Sequence, residues 1–155
     1  MTVYADANLL ARFYLDYDVA GDARALLTRP RARHGKPLPV TTLLRMELMN
    51  ALRRLVFETR NGGQWRVTAE MIAAAWGDFE EDLEAGVLFR PVVITLEEIA
   101  AEFASLVGRH TARHGFRTYE ILHVASALHM GCNTFWSFDK KALQLAKLEG
   151  LKTNM

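Results

Sequence analysis

A chain of 155 residues that is 50% hydrophobic and 24% charged has the material for one compact domain with a real core, which excludes a disordered or low-complexity protein. A formal net charge of +1 at pH 7 excludes a broadly basic grip on nucleic acid, so any polyanion contact has to come from local clusters of Arg and Lys. The lone Cys132 cannot staple a fold, and no apolar run approaches the roughly 20 residues of a membrane span, so a soluble protein of the reducing cytoplasm is expected.

In chain order, strand and helix signals alternate. Val3-Tyr4-Ala5 is a short β-type run stopped by Asp6-Ala7-Asn8, a turn and N-cap signal, and Leu9 to Leu15 then has helical composition. Pro30 to Pro39 is a basic, Pro-containing loop, and Leu38 to Val40 opens a second strand. Thr41 or Thr42 caps a helix whose Leu44, Leu48, Ala51 and Leu55 repeat as a core-facing stripe, flanked by Glu47. Asn61-Gly62-Gly63 breaks that pattern. A helix follows from about Ala69 to Glu84, with Asp78, Glu80, Glu81, Asp82 and Glu84 as a solvated face. A third strand falls within Val87 to Ile94, confined to an edge or split by Pro91. Thr95 and Glu98 fit a capping box, and a long helix runs toward Gly115.

The last third is the most legible. Thr118 caps a helix through about His129 that is apolar nearly all round, so it is buried, and its first turn carries Glu120. Thr134 to Phe138 is a buried strand, Asp139 caps a helix from Lys140 to Glu149, and Leu151-Lys152-Thr153 closes as a further strand. Strands alternating with helices imply right-handed crossovers and a parallel sheet, whose ligands gather at the carboxyl ends of the strands. Asp6 and Asp139 both stand at such ends.

Four carboxylates, Asp6, Glu47, Glu120 and Asp139, each sit where an apolar element meets a polar turn. Gathered at matching ends of one α/β domain they would form an anionic pocket, which is costly unless a divalent cation neutralises it. Each also has an ordinary explanation. Asp6 and Asp139 can be plain N-caps, Glu120 can complement a helix dipole, and Glu47 can pair with Arg54. Glu120-x-x-His123 lacks the second copy that a di-iron site needs, so His123 is read as a helix residue with a backbone or water partner. Asp16-x-Asp18 with Gly21 fails as a calcium loop because its fifth position is Ala20 and its twelfth Leu27. Cys132 has no base beside it and reads as a buried, inert thiol. Positive charge is local: Arg109, His110, Arg113, His114 and Arg117 precede the Glu120 helix, and Arg29, Arg31, Arg33, His34 and Lys36 fill the loop before the second strand. Both runs can be solvated surface, or they can hold phosphates beside the acidic pocket. Arg12 and Arg45 are candidates for closer clamps.

Tyr4-Ala5-Asp6-Ala7-Asn8, Thr42-Leu43-Leu44-Arg45-Met46-Glu47-Leu48, the stretch Arg117-Thr118-Tyr119-Glu120-Ile121-Leu122-His123-Val124-Ala125-Ser126-Ala127, and Ser137-Phe138-Asp139 resemble, in this order and separation, the PIN domain of VapC-type toxins of toxin–antitoxin pairs. The resemblance spans the chain. It implies an α/β/α sandwich on a five-stranded parallel sheet, a Mg²⁺- or Mn²⁺-dependent endoribonuclease, an RNA substrate, an antitoxin partner and a homodimer. It places the acidic quartet at Asp6, Glu47, Glu120 and Asp139, with Asn8 and Ser137 as polar helpers. Where that family usually has Asp, this chain has Glu120, which moves the carboxylate by about one C–C bond, well beyond the ±0.2 Å tolerance of a metal site. The alternatives are a catalytically weak or inactive PIN-like RNA-binding module, and a flap-nuclease-like DNA enzyme, for which the chain is short of acidic residues and insertions.

Overall fold

The computed structural model describes residues 2–15 and 36–155. Arg29, Arg31, Arg33 and His34 of the basic loop, and the Asp16/Asp18 pair, lie outside the described residues. The strands are β1 (Val3–Ala5), β2 (Leu38–Thr41), β3 (Phe89–Val92), β4 (Thr134–Trp136) and β5 (Lys152–Thr153). The helices are α1 (Ala7–Leu15), α2 (Thr42–Arg60), α3 (Ala69–Ala85), α4 (Leu96–Leu106), α5 (Thr118–His129) and α6 (Lys140–Leu148).

All strand pairing is parallel, but the single five-stranded sheet is corrected to two hydrogen-bonded pieces, β1-β4-β5 and β2-β3. β1 lies beside β2 without a ladder between them. Proline accounts for part of this gap. Leu38 N–H donates to Leu88 O at 2.8 Å, which phases β2 so that Leu38 and Val40 face β3 and Pro39 faces the other way, toward β1. Pro39 has no N–H, so the seam is missing a donor where β1 would accept one. Pro91 sits in β3 opposite Val40, with its missing N–H turned to the free edge, where it removes nothing from the ladder.

Helices pack in two groups, α1 with α2 and α3, and α4 with α5 and α6. α2 buries Leu44, Leu48 and Leu52. Ala51 and Leu55, expected in that stripe, are only partly covered, because the contact with α1 and α3 follows i, i+4, i+8. α4 opens with the expected capping box: Glu98 N–H donates to Thr95 Oγ1 at 3.2 Å and Thr95 N–H to Glu98 Oε2 at 2.8 Å. It continues through a π turn at Val107–Thr111 and a last turn to Gly115, whose φ of +68° is the left-handed conformation that a Cβ would strain. α5 is buried on most of its surface, through Glu120, Ile121, His123, Val124, Ala125, Ser126 and Ala127. It starts at Thr118, so Arg117 and not Thr118 is its N-cap position. β4 stops at Trp136, two residues before the expected Phe138. Among the described residues no helix is long and apolar enough to cross a membrane.

Candidate active site

The carboxyl ends of β1 and β4 lie side by side, since Asp6 N–H extends the ladder to Trp136 O at 3.1 Å. That one bond brings Asp6 and Ser137 together although they are 131 residues apart. Asp6 is buried, and its Oδ2 accepts from Ser137 Oγ at 2.5 Å while Oδ1 accepts from Leu9 N–H at 3.3 Å, an N-cap contact to α1. Ser137 Oγ in turn accepts from Asp139 N–H at 2.8 Å, and Asp139 Oδ1 caps α6 by accepting from Lys141 N–H at 2.8 Å and Ala142 N–H at 3.2 Å. Asn8 Oδ1 accepts from Phe138 N–H at 2.9 Å, closing the turn from the α1 side. Capping is therefore real for both aspartates, and it aims both side chains at one rim.

Glu47 reaches that rim from the second turn of α2. Its Oε2 meets Nε2 of His123, and His123 Nδ1 is 2.5 Å from Tyr4 Oη. His123 thus has side-chain partners on both nitrogens, in place of the backbone or water partner expected. Arg54 pairs with Glu58 at 4.0 Å and leaves Glu47 free for this contact.

Electrostatics ties three of the four carboxylates together. Burial, followed by the charges of Glu47 and Asp139, pushes the Asp6 carboxyl up to about 7 against the relief given by Ser137 and Leu9. Burial and then Asp139 push Glu47 up to about 7 as well. Burial pulls His123 down to about 4, so the ring is neutral at physiological pH. Glu120, buried at 3% exposure, bends back on its own helix and accepts from Arg117 N–H at 2.8 Å. Tyr119 feels both Glu120 and Asp139: burial raises its phenol first, the charges of Asp139 and Glu120 add to this, and Arg117 opposes them.

Asp6, Glu47 and Asp139 are the oxygen donors a cation could use here. Among the described residues no three His, Cys, Asp or Glu side chains stand close enough together to hold a metal ion directly. By charge and donor type the set fits a hard divalent ion, because burial first and the mutual repulsion of the three carboxylates after it push two of them toward neutrality. Of the basic candidates, Arg12 lies 4.2 Å over the Phe138 ring, next to Asp139, whereas Arg45 is engaged by Glu80 at 2.5 Å and lies over Trp76. Arg113 and Arg117 are exposed, Arg117 on the Tyr119 side of the rim. Three residues of this region were not singled out from the sequence. Asn154 clamps Ser137 by accepting from its N–H and donating to its carbonyl, both at 2.9 Å, while Tyr4 and Tyr119 flank Glu47 and Glu120. Only Tyr4 and Tyr119 had a signal, their places within the blocks that carry Asp6 and Glu120.

A pH dependence follows for the metal-free protein. Asp6 has an ordinary value of 3.8 and a folded value of about 7, so the folded state holds an extra proton across that window and stability falls as pH rises through it. Glu47, from 4.5 to about 7, acts the same way, and His123, from 6.5 to about 4, acts oppositely and offsets one of the two. Asp6→Asn removes the first contribution. Its thermal midpoint in EDTA should gain on wild type as pH rises from about 4 to 7 and hold steady above, by roughly 1–3 kcal/mol in stability. A difference that shrinks over this interval would contradict the assignment of Asp6 as a strained buried carboxylate.

No protein-family profile matches the chain, and no curated protein matches it in sequence. Among solved structures, the crystal structure of FitAcB from Neisseria gonorrhoeae is similar, with a TM-score of 0.58 and 14% identity over 98% of this chain and 96% of that chain. The likeness is one of fold, and it supports the α/β/α architecture of a PIN-like domain.

Proposed function

We propose that this PIN-like chain is a metal-dependent endoribonuclease that acts as the toxin of a toxin–antitoxin pair. The observation that carries the reading is the rim itself: Asp6, Glu47 and Asp139 couple electrostatically at the carboxyl ends of β1 and β4, and Asp6 and Glu47 are driven to about 7. The residue blocks that resemble VapC-type toxins and the fold shared with FitAcB support it.

In this reading Asp6, Glu47 and Asp139 hold one or two Mg²⁺ or Mn²⁺ ions, with water completing the shell, which Mg²⁺ tolerates because it keeps several of its own waters. The ion supplies Lewis acidity at a phosphodiester and lowers the pKa of a water. The chain supplies position and charge. Ser137 and Leu9 N–H fix both oxygens of Asp6, and the α6 amides fix Asp139, so neither side chain has to be ordered when substrate arrives. Arg12, Arg113 and Arg117 hold backbone phosphates around the rim, and Arg45 joins them on release from Glu80. Glu120 stands as an outer carboxylate with one oxygen committed to its helix cap. An antitoxin that places a basic side chain at the rim, and a homodimer, complete the proposal.

The purified protein should cleave structured RNA with Mg²⁺ or Mn²⁺ and stop in EDTA, and co-expression with its antitoxin should give a stable complex without cleavage. Absence of cleavage under every metal would move the reading to an inactive PIN-like RNA-binding module. The helix-capping role of Glu120 favours that second reading, because it commits one oxygen of this carboxylate to its own helix and not to the rim.

A further inference from the structure

Tyr4 and His123 are polar side chains buried at 0% and 2% exposure, in the strand and helix that meet beneath Glu47. Burying two polar groups is costly unless each is paired, and here each is: Tyr4 Oη lies 2.5 Å from His123 Nδ1, and His123 Nε2 contacts Glu47 Oε2. A phenol donates its proton readily, so Nδ1 accepts it, the ring proton sits on Nε2, and Nε2–H donates to the carboxylate. Tyr4 is itself immobile. Its ring is fully buried and stacks on Phe135 at 5.4 Å and 8°. The chain of contacts therefore runs from β1 through α5 to Glu47 on α2. A glutamate on a half-exposed helix flank would otherwise sample several rotamers.

Resting on the reading of the rim as a cation site, we propose that Tyr4 and His123 are positioning residues that fix the Nε2–H tautomer and hold one oxygen of Glu47 inward, so that the other faces the ion. Carboxylates that bind metals need such an outer partner, and its loss costs about 10- to 100-fold in affinity or activity.

The test takes the full chain, with Mn²⁺ as the probe, and compares wild type, Tyr4→Phe, His123→Leu, His123→Gln and Glu47→Gln. Mn²⁺ affinity is read by calorimetry, kcat and KM on RNA by cleavage, folding by thermal melts, and the ring tautomer of the metal-free proteins by nitrogen-15 shifts. Tyr4→Phe and His123→Leu should lose about 10- to 100-fold in Mn²⁺ affinity and kcat with KM for RNA unchanged. His123→Gln, whose amide can donate from the same place, should recover most of the loss, and Tyr4→Phe should shift the ring from Nε2–H toward mixed tautomers. If His123→Leu does not fold, Tyr4→Phe decides, since it removes one oxygen and keeps the ring. Weak binding in Glu47→Gln beside wild-type binding in Tyr4→Phe and in folded His123→Leu would overturn the positioning role and leave the site reading standing. Wild-type affinity in Glu47→Gln would remove Glu47 from the site and the positioning role with it. Wild-type protein that neither binds Mn²⁺ nor cleaves would overturn the site reading, and this proposal falls with it.

Discussion

Asp6→Asn and Asp139→Asn should each lower RNA cleavage by about 10²- to 10³-fold or more, the scale of losing one preorganised charged group from a reacting centre. The two differ in what else they disturb. Asn at position 6 keeps the acceptor for Leu9 N–H and offers an amide to Ser137 Oγ, so the fold is retained and like-charge pressure from Glu47 and Asp139 is relieved. Asn at position 139 still caps α6 through its oxygen, toward Lys141 and Ala142 N–H, at little cost in stability. Both variants should therefore fold and fail to cleave. Wild-type rates in either, at saturating Mg²⁺, would remove that residue from the chemistry.

Phe135→Ala should be the most damaging single change to stability near the site. Phe135 is fully buried at the centre of β4, between β1 and β5, and stacks on Tyr4. Truncating such a ring costs about 3–5 kcal/mol, the transfer of its surface plus the cavity it leaves. At about 2–4 °C per kcal/mol for a chain of this size, the midpoint falls by roughly 6–20 °C. The loss is not confined to packing, because Tyr4 would lose the surface that holds its phenol toward His123. Denaturant unfolding gives the stability directly, and a loss below about 1 kcal/mol would show that β4 relaxes around the gap.

Much of the site was legible because its local chemistry repeats. Asp6 and Asp139 each follow a short β-type run and open a helix, and the structure joins them through Ser137, which was singled out only by the family resemblance. Glu47 lay at the edge of an apolar stripe, but nothing near it pointed to His123, 76 residues on, since a hydrogen bond across that separation leaves no periodic mark. Glu120 carried a signal that was read one residue off. Ser or Thr is the expected N-cap, so Thr118 drew that position, while the Glu120 carboxylate reaches back to Arg117 N–H and needs only a backbone there. The sheet shows the same limit. Pro39 and Pro91 were both visible, yet which edge each proline would face depends on the phase of the ladder, and Leu38 sets that phase through tertiary pairing with Leu88.

The carboxylate rim is tested most directly by calorimetric titration of Mn²⁺ into metal-free wild type and Asp6→Asn at pH 8, where Asp6 and Glu47, each about 7 in the fold, are ionised. Wild type should bind with saturable heat and Asp6→Asn at least about tenfold more weakly, because it lacks the buried charge that the ion would neutralise. Equal affinity in the two proteins would contradict a cation site at this rim.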